Sequence, residues 1–172
     1  MRRNQRIMRK LITVFVLSIF IISCENSKRN DISEENDQTF SNYKELALFR
    51  EYKKVSDTSY IRTGTEPSHR ITQLKRNDET IILFNKIIRN KENQEVLSIL
   101  DTLKINHLPE AYYITIGYCE KENFLPEEII AIVEKTENDT IQNIKKAWRA
   151  NSETGIIEEI SSLDNIDCLK EI

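Results

Sequence analysis

Between Glu128 and Glu134 the chain reads Ile-Ile-Ala-Ile-Val, five apolar residues in succession with an acid at each end. A run this short, with no polar face, suits a central strand buried on both sides. The segment before it, AYYITIGYC, alternates instead. Tyr112, Ile114, Ile116 and Tyr118 share one face, as in a half-buried strand. Pro126 separates the two.

The segment TIQNIKKAWRAN (140–151) admits two readings. Ile144, Trp148 and Ala150 fall on one face in strand phase, whereas Ile141, Ile144 and Trp148 are spaced for a helix that Asp139 could cap. The strand is favoured, because Ser152-Glu153-Thr154-Gly155 then turns straight into IIEEI as hairpin chemistry. Trp148, the single tryptophan, is expected in the core of that hairpin rather than as an exposed binding anchor.

The preceding half is less decided. In residues 41–55, Tyr43, Leu46, Phe49 and Tyr52 lie three apart after Ser41, which predicts a capped helix. Residues 56–77 are polar, with Gly64 and Pro67, and read as a loop with one short strand near 71–74. The runs 80–89 and 95–105 fit strands or buried helices equally, joined by the polar hairpin loop NKENQ. No internal repeat is evident. The expected fold is α+β: residues 41–172 as a single globular domain with an antiparallel sheet in its C-terminal half and one or two helices.

The amino terminus carries a different signal. Arg2, Arg3, Arg6, Arg9 and Lys10 precede the apolar run LITVFVLSIFIIS, a positive start and a short apolar stretch that fit a secretory signal helix. It falls short of the ~20 apolar residues of a spanning helix. Ile21-Ile22-Ser23-Cys24 resembles the lipobox of bacterial lipoproteins. The resemblance implies removal of residues 1–23, a diacylglycerol thioether on Cys24 and a further acyl chain on the new amino terminus. Two or more buried chains anchor stably where one does not. The alternative is an uncleaved signal anchor with an incidental Cys24. Residues 24–40, from the lipidated cysteine through ENSKRNDISEENDQTF, are too polar to fold and read as a flexible acidic tether. Glu25 follows the cysteine where an inner-membrane retention signal, usually Asp, would stand, so the outer membrane is slightly preferred over the inner.

Without residues 1–23 the chain carries 20 Lys+Arg against 28 Asp+Glu, a formal charge of −8. Such a surface argues against nucleic acid as a partner. Three glycines and three prolines in all leave no room for a glycine-rich phosphate loop. With Cys24 committed to lipid, Cys119 and Cys168 remain as a pair. An exported protein favours a disulfide between them over two free thiols or an incomplete metal site.

Residues able to do chemistry are few. His69 (EPSHRIT) and His107 (before Leu108-Pro109) are expected as surface-loop histidines. Neither lies near a nucleophile elbow or a metal-binding helix. The acidic doublets Glu34-Glu35, Glu127-Glu128 and Glu158-Glu159 read as solvated faces, since neighbours on a strand point to opposite sides. Asp101-Thr102-Leu103 and Asp139-Thr140-Ile141 resemble bacterial O-glycosylation acceptors.

The C-terminal half, EIIAIVEK…AWRAN-x-x-TG-x-x-E-x-I…I-x-C, resembles a group of small exported bacterial proteins of unknown function, which supports the hairpin and implies no mechanism. The expectation is therefore a non-enzymatic, envelope-bound binding module without cofactor or metal. It would be held to the membrane through Cys24 and would contact an unknown protein or envelope component. An inhibitor or immunity-type lipoprotein is the alternative, followed by a small hydrolase built on His69 or His107.

Overall fold

The structure is a computed structural model and describes residues 39–170. The signal segment, Cys24 and the tether as far as residue 38 lie outside the described residues. Twelve strands follow one another: β1 (Thr39–Phe40), β2 (Lys53–Tyr60), β3 (His69–Arg76), β4 (Glu79–Arg89), β5 (Glu95–Asn106), β6 (Tyr112–Ile116), β7 (Cys119–Glu120), β8 (Ile129–Glu134), β9 (Thr140–Ile141), β10 (Ile144–Asn151), β11 (Ile156–Glu159) and β12 (Asp167–Leu169). The helical segments among the described residues are three 3-10 turns of three residues each, at Tyr43–Glu45, Ala47–Phe49 and Pro126–Glu128. The α+β expectation is therefore overturned: this part of the chain is nearly all β, and its larger sheet comes from the first half.

The strands form three antiparallel sheets, ordered β1-β5-β4-β3-β2, β11-β10-β8-β6 and β7-β12-β9. Two strands run through the middle. β8 turns Ile130 and Ile132 toward the first sheet, and Ile129, Ala131 and Val133 toward the third. β4 does the same in its own sheet, with Ile82 and Phe84 facing the second sheet and Ile81 and Leu83 facing outward. That outer face is covered by residues 40–52. The runs that fitted strand or helix equally are strands because each meets apolar neighbours on both sides. Burying a side chain such as Phe84 or Ile130 from full exposure contributes about 1.5–3 kcal/mol.

The predicted helix at 41–55 is instead a strap of 3-10 turns that gives way to β2 at Lys53. Leu46 N–H donates to Tyr43 O, Phe49 N–H to Leu46 O and Tyr52 N–H to Phe49 O, at 3.0–3.2 Å. A spacing of three residues matches the 3.0-residue period of a 3-10 helix, which stacks every third side chain on one face. Leu46, Phe49 and Tyr52 are accordingly buried against the outer face of the first sheet. The cap is Asn42 rather than Ser41, with Glu45 closing a capping box. Residues 56–77, expected as loop with one short strand near 71–74, supply most of β2 and all of β3, so the short strand is present and longer than expected.

Two bulges decide which side chains face which layer. In β5, Phe84 pairs with Asp101 and Asn85 with Ile99, leaving Leu100 as an extra residue. Leu97 and Ile99 thus pack under the strap, while Leu103 and Ile105 pack between the sheets. In β10, Ile144 pairs with Val133 and Lys146 with Ile132, so Lys145 is the extra residue. The strand expected at 144–150 is present, and Trp148 is buried in the core. Ile144, however, does not share a face with Trp148 and Ala150: the bulge sends it to the third sheet.

The first bulge has an energetic consequence. It turns Asp101 toward the second sheet, where Oδ2 accepts the backbone N–H of Ile157 on β11 at 2.7 Å. That bond closes one flank of the two main sheets and occupies an otherwise free edge. Asp101→Ala is expected to cost about 1–2 kcal/mol, as loss of a charge-assisted bond that is partly accessible to water. Urea denaturation would show this as a lower midpoint at unchanged m-value, and an unchanged midpoint would refute it.

Candidate functional site

On the opposite flank, β2 and β6 converge at one end and separate at the other. They meet where Gly117 stands at φ +85°, and a Cβ there would lie 3.5 Å from the Thr58 methyl. At this closed end the two sheets are clamped by a polar cluster that sequence reasoning missed. Glu128 is fully buried. Its Oε2 accepts from Arg149 Nε at 2.8 Å and its Oε1 from Ser152 Oγ at 2.7 Å, with Arg62 Nη1 3.6 Å from Oε1. Arg62, which follows β2, also donates to Ser152 and pairs with Glu153. The Arg149 guanidinium lies 4.6 Å from the centre of the Phe124 ring.

The solvated-face reading of the Glu127-Glu128 doublet fails at Glu128 for a local reason. Glu128 ends a 3-10 turn opened by Pro126, so strand alternation does not apply to it. Its direct continuity with Ile129–Val133, buried on both faces, was the available signal. Glu158 and Glu159 lie on β11 and are exposed, as expected. Both oxygens of Glu128 are taken by donors of this chain. The cluster joins the sheets, since Arg62 comes from the first and Glu128, Arg149 and Ser152 come from the second.

His69 is also differently placed from its expectation. It opens β3, is nearly buried and stacks between Tyr60 and Phe84, with ring centres 5.4 and 5.5 Å away. Its Nδ1 lies 2.9 Å from Ser68 Oγ. Burial pushes its pKa below the ordinary histidine value; Glu128 opposes the shift, and Lys86 and Arg62 add to it. Burial, reinforced by Glu128, holds the Tyr60 phenol well above its usual range, and its hydroxyl donates to Ala150 O at 3.3 Å.

A pH dependence follows. As pH falls, the unfolded chain takes up a proton on residue 69 before the folded chain does, so the native state loses stability. Stability from this group is complete above about pH 6.5 and declines as pH drops from there toward the lower folded pKa. Denaturation midpoints between pH 7 and 5 should fall less steeply in His69→Gln than in the parent. Identical slopes would contradict the assignment. His107 is exposed, as expected for a surface-loop residue, with Nδ1 3.9 Å from Asp78 Oδ2.

Cys119 and Cys168 are joined in a disulfide, as the sequence suggested. They are direct cross-strand partners in β7 and β12, both fully buried against β8. Among the described residues, no group of three or more His, Cys, Asp or Glu side chains is placed to hold a metal ion. Asp101 is engaged with backbone N–H groups of Thr102 and Ile157.

At the open end of the flank, the separation of β2 and β6 leaves a groove of about 550 Å³. Val55 and Ser56 of β2, with Gln73 and Lys75 of β3, form one wall. Leu108, Pro109 and Tyr112 form the other. Lys75 and Lys135 bring positive charge and Asp78 and Glu110 negative charge, while Val55 presents an apolar side chain that is 54% exposed. The volume lies within the ~300–1,000 Å³ of ligand clefts, and the lining mixes apolar surface with a few polar groups. Comparison with protein-family models, curated proteins and solved structures finds no match for this chain.

Proposed function

We propose that this protein is a lipid-anchored module of the bacterial envelope that acts by binding a protein or another envelope component rather than by catalysis. The groove between β2 and β6 carries this reading. It is the opening between the two main sheets on the β2/β6 flank, at the end away from the Glu128–Arg62 clamp. Two ionisable groups buried outside it are engaged within the chain: Glu128 with Arg149, Ser152 and Arg62, and His69 in a stack between Tyr60 and Phe84. The lipobox-like Ile21-Ile22-Ser23-Cys24 supports the anchor, and the bridged cysteine pair suits an oxidising compartment such as the envelope.

Two measurements test the two halves of the proposal. The protein purified from membranes should have the mass of residues 24–172 plus lipid, and an unmodified full-length mass would sink the anchor. A photo-crosslinking residue at Val55, in cells, should give a discrete adduct that the same residue at Leu169 does not. Leu169 is as exposed as Val55 but lies on β12, outside the groove. Absence of any Val55-specific adduct would count against the binding reading.

A further inference from the structure

The groove has one wall that is a strand edge, and the four edges of the two main sheets are not alike. Natural sheets protect exposed edges with charge, bulges, proline, short strands or a cover. β1 is two residues long, and β11 has an edge N–H taken by Asp101. β2 carries Lys53, Lys54 and a bulge that leaves Val55 unpaired between Lys54 and Ser56. β6, Tyr-Tyr-Ile-Thr-Ile, has no charge, no proline and no bulge, and it pairs with β8 alone.

The register shows which backbone groups of β6 are left over. Gly117 N–H donates to Ile129 O, and Lys135 N–H donates to Ala111 O. In an antiparallel ladder, pairs that exchange hydrogen bonds alternate with pairs that do not. Residues 111, 113, 115 and 117 therefore address β8, while the N–H and C=O groups of Tyr112, Ile114 and Ile116 point to the free edge. The Tyr112 N–H is used by Pro109 O, but Ile114 keeps a donor and an acceptor with no strand to pair. Unpaired main-chain groups of this kind are satisfied by water or by another chain.

We propose that the groove takes up one extended segment of a partner polypeptide, added as a strand to the free edge of β6 and centred on Ile114. This rests on the binding-module reading above and names the class of partner. Alternating donors and acceptors at strand spacing are what a polypeptide backbone supplies; lipid and glycan lack that repeat. The added strand turns every second side chain toward Val55, Leu108 and Tyr112, so alternate apolar residues are favoured. A second copy of this chain is the poorer occupant. Its own β6 edge lies behind the same wall of β2 and β3, and two recessed edges do not meet.

The test uses the protein as purified from membranes, in detergent micelles, and the probe is a phage-displayed library of random linear heptapeptides. Selected peptides should alternate apolar residues, and a synthetic copy should bind at least tenfold more weakly to Val55→Arg, an exposed position whose substitution spares the core. Binding should slow amide exchange of Ile114 at least tenfold, and N-methylation of alternate peptide residues should abolish it. Strand addition is overturned by any of three results: no enrichment over the Val55→Arg protein, bound peptides that leave Ile114 exchange unchanged, or a dimer that Val55→Arg dissociates. The last would assign the edge to self-association. If Val55 crosslinks an envelope component in cells while no peptide is enriched, strand addition fails and the binding-module reading survives. With neither crosslink nor enriched peptide, both fail.

Discussion

Replacing Glu128 with alanine is expected to cost about 3–5 kcal/mol, because it leaves two guanidinium groups facing each other with their common acceptor gone. Arg62 and Arg149 keep 29% and 20% side-chain exposure, so water relieves part of the penalty and the lower end of that range is expected. Glu128→Gln preserves shape and an acceptor for Ser152 but removes the charge, and it should lose somewhat less than alanine. The pairing can be isolated with a double-mutant cycle. In an Arg149→Gln background, Glu128→Gln should cost at least 1 kcal/mol less than in the parent, since neighbours sharing a hydrogen-bonded ion pair are not additive. Chemical denaturation at fixed pH gives all four values. A loss below about 1 kcal/mol for Glu128→Ala would mean that the cluster does not hold the sheets together.

Removing the disulfide should have a comparable effect. Cys119 and Cys168 are separated by 49 residues, and closing a loop of that size lowers the entropy of the unfolded chain by an amount worth about 4 kcal/mol in the chain-entropy model. The local structure adds to the dependence. The third sheet consists of strands of two, two and three residues, too short to persist without a covalent tie or a packed face. Cys119→Ala/Cys168→Ala is therefore expected to lower the denaturation midpoint and to speed amide exchange in β7, β9 and β12 first, with β4 the last to open. The same midpoint with and without the bridge would show that packing on Ile129, Ala131 and Val133 alone holds this sheet. Only the pairing itself was legible in the sequence, from the even number of cysteines left after Cys24; its cross-strand setting was not.

Legibility elsewhere followed the range of the interactions. Ile129–Val133 announced a strand buried on both faces because any such run must find cover, and it found the first and third sheets. The Ser152–Gly155 turn was readable because Gly155 sits at φ +72°, where glycine carries no steric cost. The strap at 40–52 was misread by a fraction of a residue per turn: the spacing of three that suggested an α-helix is the repeat of a 3-10 helix. Residues 56–60 and 69–76 were misread as mostly loop because a polar segment becomes a strand when a neighbour such as β4 offers a ladder to pair with.

What the sequence by itself determined is local: the two-sided burial of β8, the presence of a strand at β6 and the hairpin at Ser152–Gly155. Each depends on side chains a few residues apart, and so on spacing alone. The half-buried alternation expected of β6 gives way to cover on both faces, with Thr115 buried and Tyr118 exposed. Tertiary structure decided the rest. The bulges at Leu100 and Lys145 shift the phase of β5 and β10 by one residue, and they choose the layer for Asp101 and Ile144. The meeting of Arg62, Glu128, Arg149 and Ser152 depends on two sheets packing face to face. The open edge of β6 exists only because β2 diverges from it. Register and packing of this kind are settled by the free energy of the assembled layers, in which a one-residue slip exchanges the buried face for the exposed one.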